Sequence, residues 1–132
     1  MGLVDWKRNN KISLRNFSES CDLHDIVKTQ LVRMLRRNYP DSNKYPIYTE
    51  FHAEKPNESY PDIWMKIKND VYVWEIQKEM TKSWTKQIQE KYEDVNLIIV
   101  DLKEVNDNID TLYSSLDAFL ERLKKELKKY II

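Results

Sequence analysis

The chain has 132 residues, with 22 Lys+Arg against 22 Asp+Glu, 41% hydrophobic residues and 11% aromatic ones; it fits one domain, 1–132, around one core, and is too aromatic for a disordered chain. One Cys and two His exclude a disulfide framework and a Cys- or His-rich metal centre, and a single Gly excludes a Gly-rich phosphate loop. The longest apolar run, Leu97–Val100, excludes a membrane span, and the opening MGLVDWKRNN has no signal-peptide stretch, so a cytoplasmic, intracellular protein is expected.

The zero net charge is unevenly spread. Residues 1–40 carry eight Lys/Arg against four Asp/Glu, residues 41–110 nine against fifteen, and residues 111–132 five against three. A basic first third and an acidic middle are compatible with a polyanion partner and a cation site, and equally with ordinary charged helix surfaces.

In chain order, residues 1–20 read as an irregular N-terminal arm. Leu23, Ile26, Val27, Leu31, Met34 and Leu35 keep helical spacing, with Lys28, Arg33, Arg36 and Arg37 largely off the stripe. Ser20 or Asp22 can cap that helix, and Asn38-Tyr39-Pro40 ends it. Pro46–Ala53 reads as a strand and Glu54–Tyr60 as a loop. Asp62–Lys68 alternates, placing Ile63, Met65 and Ile67 on one face and Asp62, Trp64 and Lys66 on the other. Asn69-Asp70 is the expected hairpin turn, and Val71–Lys78 the returning strand, with Tyr72, Trp74 and Ile76 opposite Val71, Val73, Glu75 and Gln77. Met80–Glu93 returns to helical spacing through Met80, Trp84, Ile88 and Tyr92. Val95–Leu102 is a nearly continuous apolar run, as in a strand covered on both faces. Ile109–Tyr130 reads as one long amphipathic helix, capped by Asp107 or Asn108, with cations at its C-terminal end. The expected class is α/β, a mixed sheet with helices on its faces.

The chemistry concentrates at the hairpin. A turn at Asn69-Asp70 pairs residue i with 139 − i, which sets Asp62 opposite Gln77 and diagonal to Glu75. Diagonal neighbours lie about 7–8 Å apart, within reach of one hard divalent cation that takes oxygen ligands and keeps several waters. Solvent-facing strand carboxylates are the alternative.

Pro61-Asp62, a strand, a hairpin and then Glu75-Ile76-Gln77 together resemble the PD-(D/E)XK nuclease superfamily, and within it the small archaeal Holliday-junction resolvases and compact viral nucleases. The resemblance covers roughly Leu23 to Leu102. It implies a restriction-endonuclease-like αβββαβ core, followed here by the long C-terminal helix, and a Mg²⁺- or Mn²⁺-dependent nuclease acting on DNA. Asp62 and Glu75 would hold the metal, joined by the Ile76 backbone carbonyl. An upstream acid would be Glu50, in preference to Glu19 or Asp25. The family's lysine position holds Gln77, which can orient a water but cannot act as a base or supply charge. Lys78, Lys66, Lys82 and Lys86 are the candidate replacements. Such a metal lowers the pKa of a bound water and neutralises phosphate charge.

Trp64 is placed to stack on a base, and Arg33, Arg36 and Arg37 either contact phosphates or form a solvated helix face. Trp74 and Trp84 read as core, and Trp6 with Lys7-Arg8 as part of the arm. His52 reads as a neutral residue on the face of Glu50, and Cys21 with His24 lacks the setting of a nucleophilic pair. Two functions are expected: a nuclease, on linear or branched DNA, or a nuclease fold without catalysis serving as a nucleic-acid-binding or assembly module. The related resolvases work as dimers, so a homodimer suits a junction substrate. The Lys-, Asn- and Ile-rich composition fits an AT-rich genome of viral or archaeal type.

Overall fold

The computed structural model describes residues 22–49, 61–109 and 115–132. Helix α1 spans Asp22–Asn38 and strand β1 Ile47–Thr49. The hairpin follows as β2, Ile63–Ile67, and β3, Asp70–Gln77; then come α2, Lys82–Lys91, and β4, Asn96–Asp101. Helix α3, Leu102–Asn108, comes next, and then α4, Leu116–Leu127, which ends in a 3-10 turn at Lys128–Tyr130. The strands form one mixed sheet in the order β1-β2-β3-β4, antiparallel through the first three and parallel between β3 and β4. The parallel step requires a crossover, which α2 supplies.

Period-two alternation divides the sheet into two apolar faces. Ile63 and Met65 of β2, Trp74 and Ile76 of β3 and Val100 of β4 pack with Val27, Leu31 and Leu35 of α1 and Leu123 and Leu127 of α4. On the other face Val73 packs with Ile88 and Tyr92, covered by Trp64, Trp84, Leu97 and Ile99. The protein is therefore an α/β fold whose four-stranded mixed sheet carries helices on both faces. The apolar run of β4 has cover on both faces but lies at the sheet edge, so Leu97, Ile98 and Ile99 keep partial exposure. Trp74 is fully buried, and its Nε1–H donates to the Tyr130 carbonyl at 2.8 Å, tying the chain end to the sheet.

Three expectations change. The turn is Lys68-Asn69, not Asn69-Asp70, because Ile67 pairs with Asp70 and Ile63 with Trp74. Both registers keep the same faces together, since they differ by two residues, so alternation cannot choose between them. Lys68 takes the left-handed conformation (φ 57°) suited to a two-residue hairpin. Of the helix expected over Ile109–Tyr130, the described part is α4 from Leu116, and a separate helix not expected from the sequence, α3, precedes it at Leu102–Asn108. The Asp101 carboxylate accepts from Lys103 N–H at 3.0 Å and Glu104 N–H at 3.4 Å, so β4 passes straight into α3. Ser115 caps α4 by accepting from Ala118 N–H. Lys129 joins Glu104 to Glu126, the latter at 2.9 Å, and Asn108 donates to Glu126, fastening α3 to α4.

Third, Lys28 is not off the stripe but fully buried. His24, Lys28, Leu31 and Leu35 are four, three and four residues apart, the spacing of one helix face. Residues 1–21, 50–60 and 110–114 lie outside the described residues, and with them Glu50, His52, Glu19, Cys21, the N-terminal arm and the second half of the Pro46–Ala53 strand.

Candidate functional site

The register places the two hairpin carboxylates face to face. Carried one residue past Ile63↔Trp74, it sets Asp62 directly opposite Glu75. The two-residue turn makes Ile67 and Asp70 a hydrogen-bonded pair, and alternation from there makes 62–75 a non-hydrogen-bonded position, where side chains approach most closely. Pro61 has no N–H to extend the ladder. The Asp62 carboxylate instead takes the Ile76 N–H, Oδ2 to nitrogen 2.7 Å, and is 1% exposed. A strand residue carries its N–H and C=O on the same edge, so the Ile76 carbonyl faces the Asp62 edge of β3.

Glu75 is held from both sides. Its Oε1 accepts the Tyr92 hydroxyl at 2.8 Å from the end of α2. The Asp62 carboxyl faces that of Glu75, and two carboxyl groups this close favour one shared proton over two charges. Burial pushes Glu75 up to about 8, and the Asp62 charge adds to the rise; the Tyr92 hydrogen bond and the Lys91 ammonium pull the other way.

Helix α1 adds a third group from the opposite side. His24 is 5% exposed, and its Nε2 stands 3.2 Å from Asp62 Oδ1, out of line for a hydrogen bond. Its Nδ1 lies 3.5 Å from Asp25 Oδ1. Asp25 thus neighbours the imidazole. Among the described residues no group of three or more His, Cys, Asp or Glu side chains converges to hold a metal ion. What converges is a carboxylate pair and a main-chain carbonyl, a hard-oxygen donor set.

The remaining candidates scatter. Gln77 is partly exposed and donates from Nε2 to the Glu79 carbonyl at 3.0 Å. Lys78 is exposed and lines a cavity beyond the ends of β3 and β4. Trp64 shares the Asp62 face but packs against the α2 cluster, with the Tyr48 ring centroid at 5.6 Å. Lys66 lies on that face too, about 13 Å along the strand from Asp62 at four residues' rise. Lys82 and Lys86 are exposed on α2. Arg33 and Arg37 are exposed on α1, and Arg36 donates to the Tyr39 carbonyl at 2.8 Å, which closes the helix end. The end of α1 lies about 20 Å from His24 at the helical rise. Arg37 meets Lys124 and Lys128 there, away from the carboxylates.

Three residues at or beside the site, His24, Tyr92 and Lys91, are not among the candidates that the sequence offers for it. His24 has a signal in its place on the buried face of α1, and Tyr92 in the stripe of α2. Nothing in the sequence marks the Tyr92 hydroxyl or the Lys91 ammonium as partners of Glu75, because both arrive by a crossover.

Compared with known proteins, the chain matches no family model, and no curated protein or solved structure is significantly similar to it. Among the described residues no helix is long and apolar enough to cross a membrane.

Proposed function

We propose that the protein is a metal-dependent nuclease that hydrolyses DNA phosphodiester bonds, on a restriction-endonuclease-like core. One observation carries this reading: Asp62 and Glu75 face each other across the hairpin, where burial and then the Asp62 charge push the Glu75 carboxyl up to about 8. The donor chemistry fits Mg²⁺ or Mn²⁺, with Asp62, Glu75 and the Ile76 carbonyl as ligands. When bound, the ion supplies Lewis-acid activation and neutralises phosphate charge. Asp62 is oriented by the Ile76 N–H and Glu75 by the Tyr92 hydroxyl, so neither rotamer has to be fixed at the moment of reaction. Lys91, on the Glu75 side, supplies the positive charge that Gln77 cannot. The element order, αβββαβ with antiparallel β1–β3 and parallel β4, supports the same reading.

The test is cleavage of labelled linear duplex, single strand, nicked duplex and four-way junction in Mg²⁺ or Mn²⁺. Cutting is expected to stop in EDTA and to fall about a hundredfold or more in Asp62→Asn. Equal cutting by Asp62→Asn would sink the assignment. A second reading, a nuclease fold acting as a nucleic-acid-binding or assembly module, is favoured by one observation: Gln77 in the lysine position spends its amide on the Glu79 carbonyl. That reading expects salt-sensitive DNA binding and no cutting of any substrate in the panel.

A further inference from the structure

Beyond the C-terminal ends of the parallel pair β3 and β4 lies an open cavity of about 500 Å³, a size typical of small-molecule sites. Crevices outside the carboxyl ends of such strands are where α/β sheets take ligands. Its walls divide by chemistry. Leu23, Met80 and Leu102 supply apolar surface; Lys78, Lys103 and Asn106 supply polar heads. Leu102 is 5% exposed and forms the fixed floor, while Met80 is 39% exposed. An open thioether is a favourable contact for an aromatic ring.

Lys78 and Lys103 are both exposed, and among the described residues Glu79 is the one acid that lines the cavity beside them. An apolar slot with two ammonium groups at its rim complements a flat ring flanked by anions, which is a nucleobase with its own phosphates. Asn106, one turn after Leu102 on α3, offers an amide donor and acceptor to the base edge. The cavity stands at the same end of the sheet as the carboxylates. Leu23 precedes His24, which touches Asp62, and Lys78 follows Glu75 by three residues.

We infer that this cavity receives one unpaired base of a nucleic-acid strand, with Lys78 and Lys103 on the adjoining phosphates. The inference rests on the nuclease reading and narrows its substrate to DNA with an unstacked nucleotide next to the cleaved bond, as at a single strand, flap or branch. A blunt duplex keeps its bases stacked and cannot fill the slot.

The test is a fluorescence titration in EDTA with a single-stranded oligonucleotide carrying one 2-aminopurine, beside the blunt duplex of the same sequence. The single strand is expected to bind about tenfold more tightly, in line with the stacking of one base, with emission rising as the reporter leaves its neighbours. Lys78→Gln combined with Lys103→Gln should weaken binding about tenfold and lower the salt slope by between one and two. Met80→Asp should remove the emission change, with unfolding midpoints confirming that the variants fold. Duplex binding as tight as single-strand binding, wild-type affinity in the double variant, or equal capture of a poly-glutamate peptide would overturn the inference. No cleavage is read, so the two readings separate. Asp62-dependent cutting with wild-type binding in the double variant removes the cavity alone. Cavity-dependent binding with no cutting in Mg²⁺ removes the nuclease alone.

Discussion

Asp62 does two things at once, and its variants should separate them. The carboxylate is the acceptor for the buried Ile76 N–H and one half of the pair with Glu75. Asp62→Ala leaves that N–H without a partner, and an orphaned buried donor costs about 1–3 kcal/mol. Asp62→Asn keeps an acceptor oxygen and removes the repulsion from Glu75. In urea denaturation Asp62→Ala is therefore expected to be the less stable variant by that amount, with Asp62→Asn close to the wild type. Equal midpoints for the two would mean that the Ile76 hydrogen bond carries no stability. Loss of cleavage in Asp62→Asn then reports on chemistry, whereas loss in Asp62→Ala mixes chemistry with folding.

Among the elements, α4 is a wall of the main core rather than an appendage. Leu123 and Leu127 are fully buried in the same cluster as Val27, Ile63 and Met65. Leu123 and Leu127 are covered within the chain and need no partner subunit, whereas Leu116 at the start of the helix is 70% exposed. Leu127→Ala is expected to lower stability by about 2–5 kcal/mol, and the midpoint should not depend on protein concentration. A small, concentration-dependent loss would instead put Leu127 at a dimer interface. The hairpin shows how one turn residue positions the site. A turn one residue later would place Asp62 diagonal to Glu75 and leave the Ile76 N–H without its present partner.

Across the whole molecule the carboxylate pair makes stability depend on pH. Glu75 titrates near 8 in the folded protein against an ordinary value of 4.5. Below the ordinary value it is protonated in both folded and unfolded chains. Between the two values the folded chain binds a proton that the unfolded chain lacks, so stability falls as pH rises, and the contribution is lost through the folded value. In EDTA the thermal midpoint should drop between about pH 4.5 and 8 more steeply in the wild type than in Glu75→Gln. Parallel profiles for the two proteins would show that Glu75 is not the group responsible. Millimolar Mg²⁺ should flatten the wild-type profile, since a bound cation replaces the shared proton.

Much of this architecture is legible in the sequence because it follows from period. The stripe of α1, the alternation of β2 and β3, the stripe of α2 and the apolar run of β4 each bury one kind of side chain, and each element appears where its pattern lies. Asp62 and Glu75 stand out for the same reason, as carboxylates beside apolar strand positions. Periodicity is blind, however, to a register shift of two, which preserves every face, and so to whether the pair meets directly or diagonally. The single long helix read from Ile109 misses α3, because the Asp101 cap is local chemistry that an apolar count does not contain. Lys28 shows the converse. Its position lies on the buried face, but charge argued it outward, and only the assembled core brings it inside. The amino-acid pattern alone determined which faces are apolar and which elements form, since these depend on near neighbours along the chain. The tertiary structure alone decided that Tyr92, Lys91 and His24 surround the carboxylates and that Arg33 and Arg37 do not, because those distances are set by how helices cross the sheet.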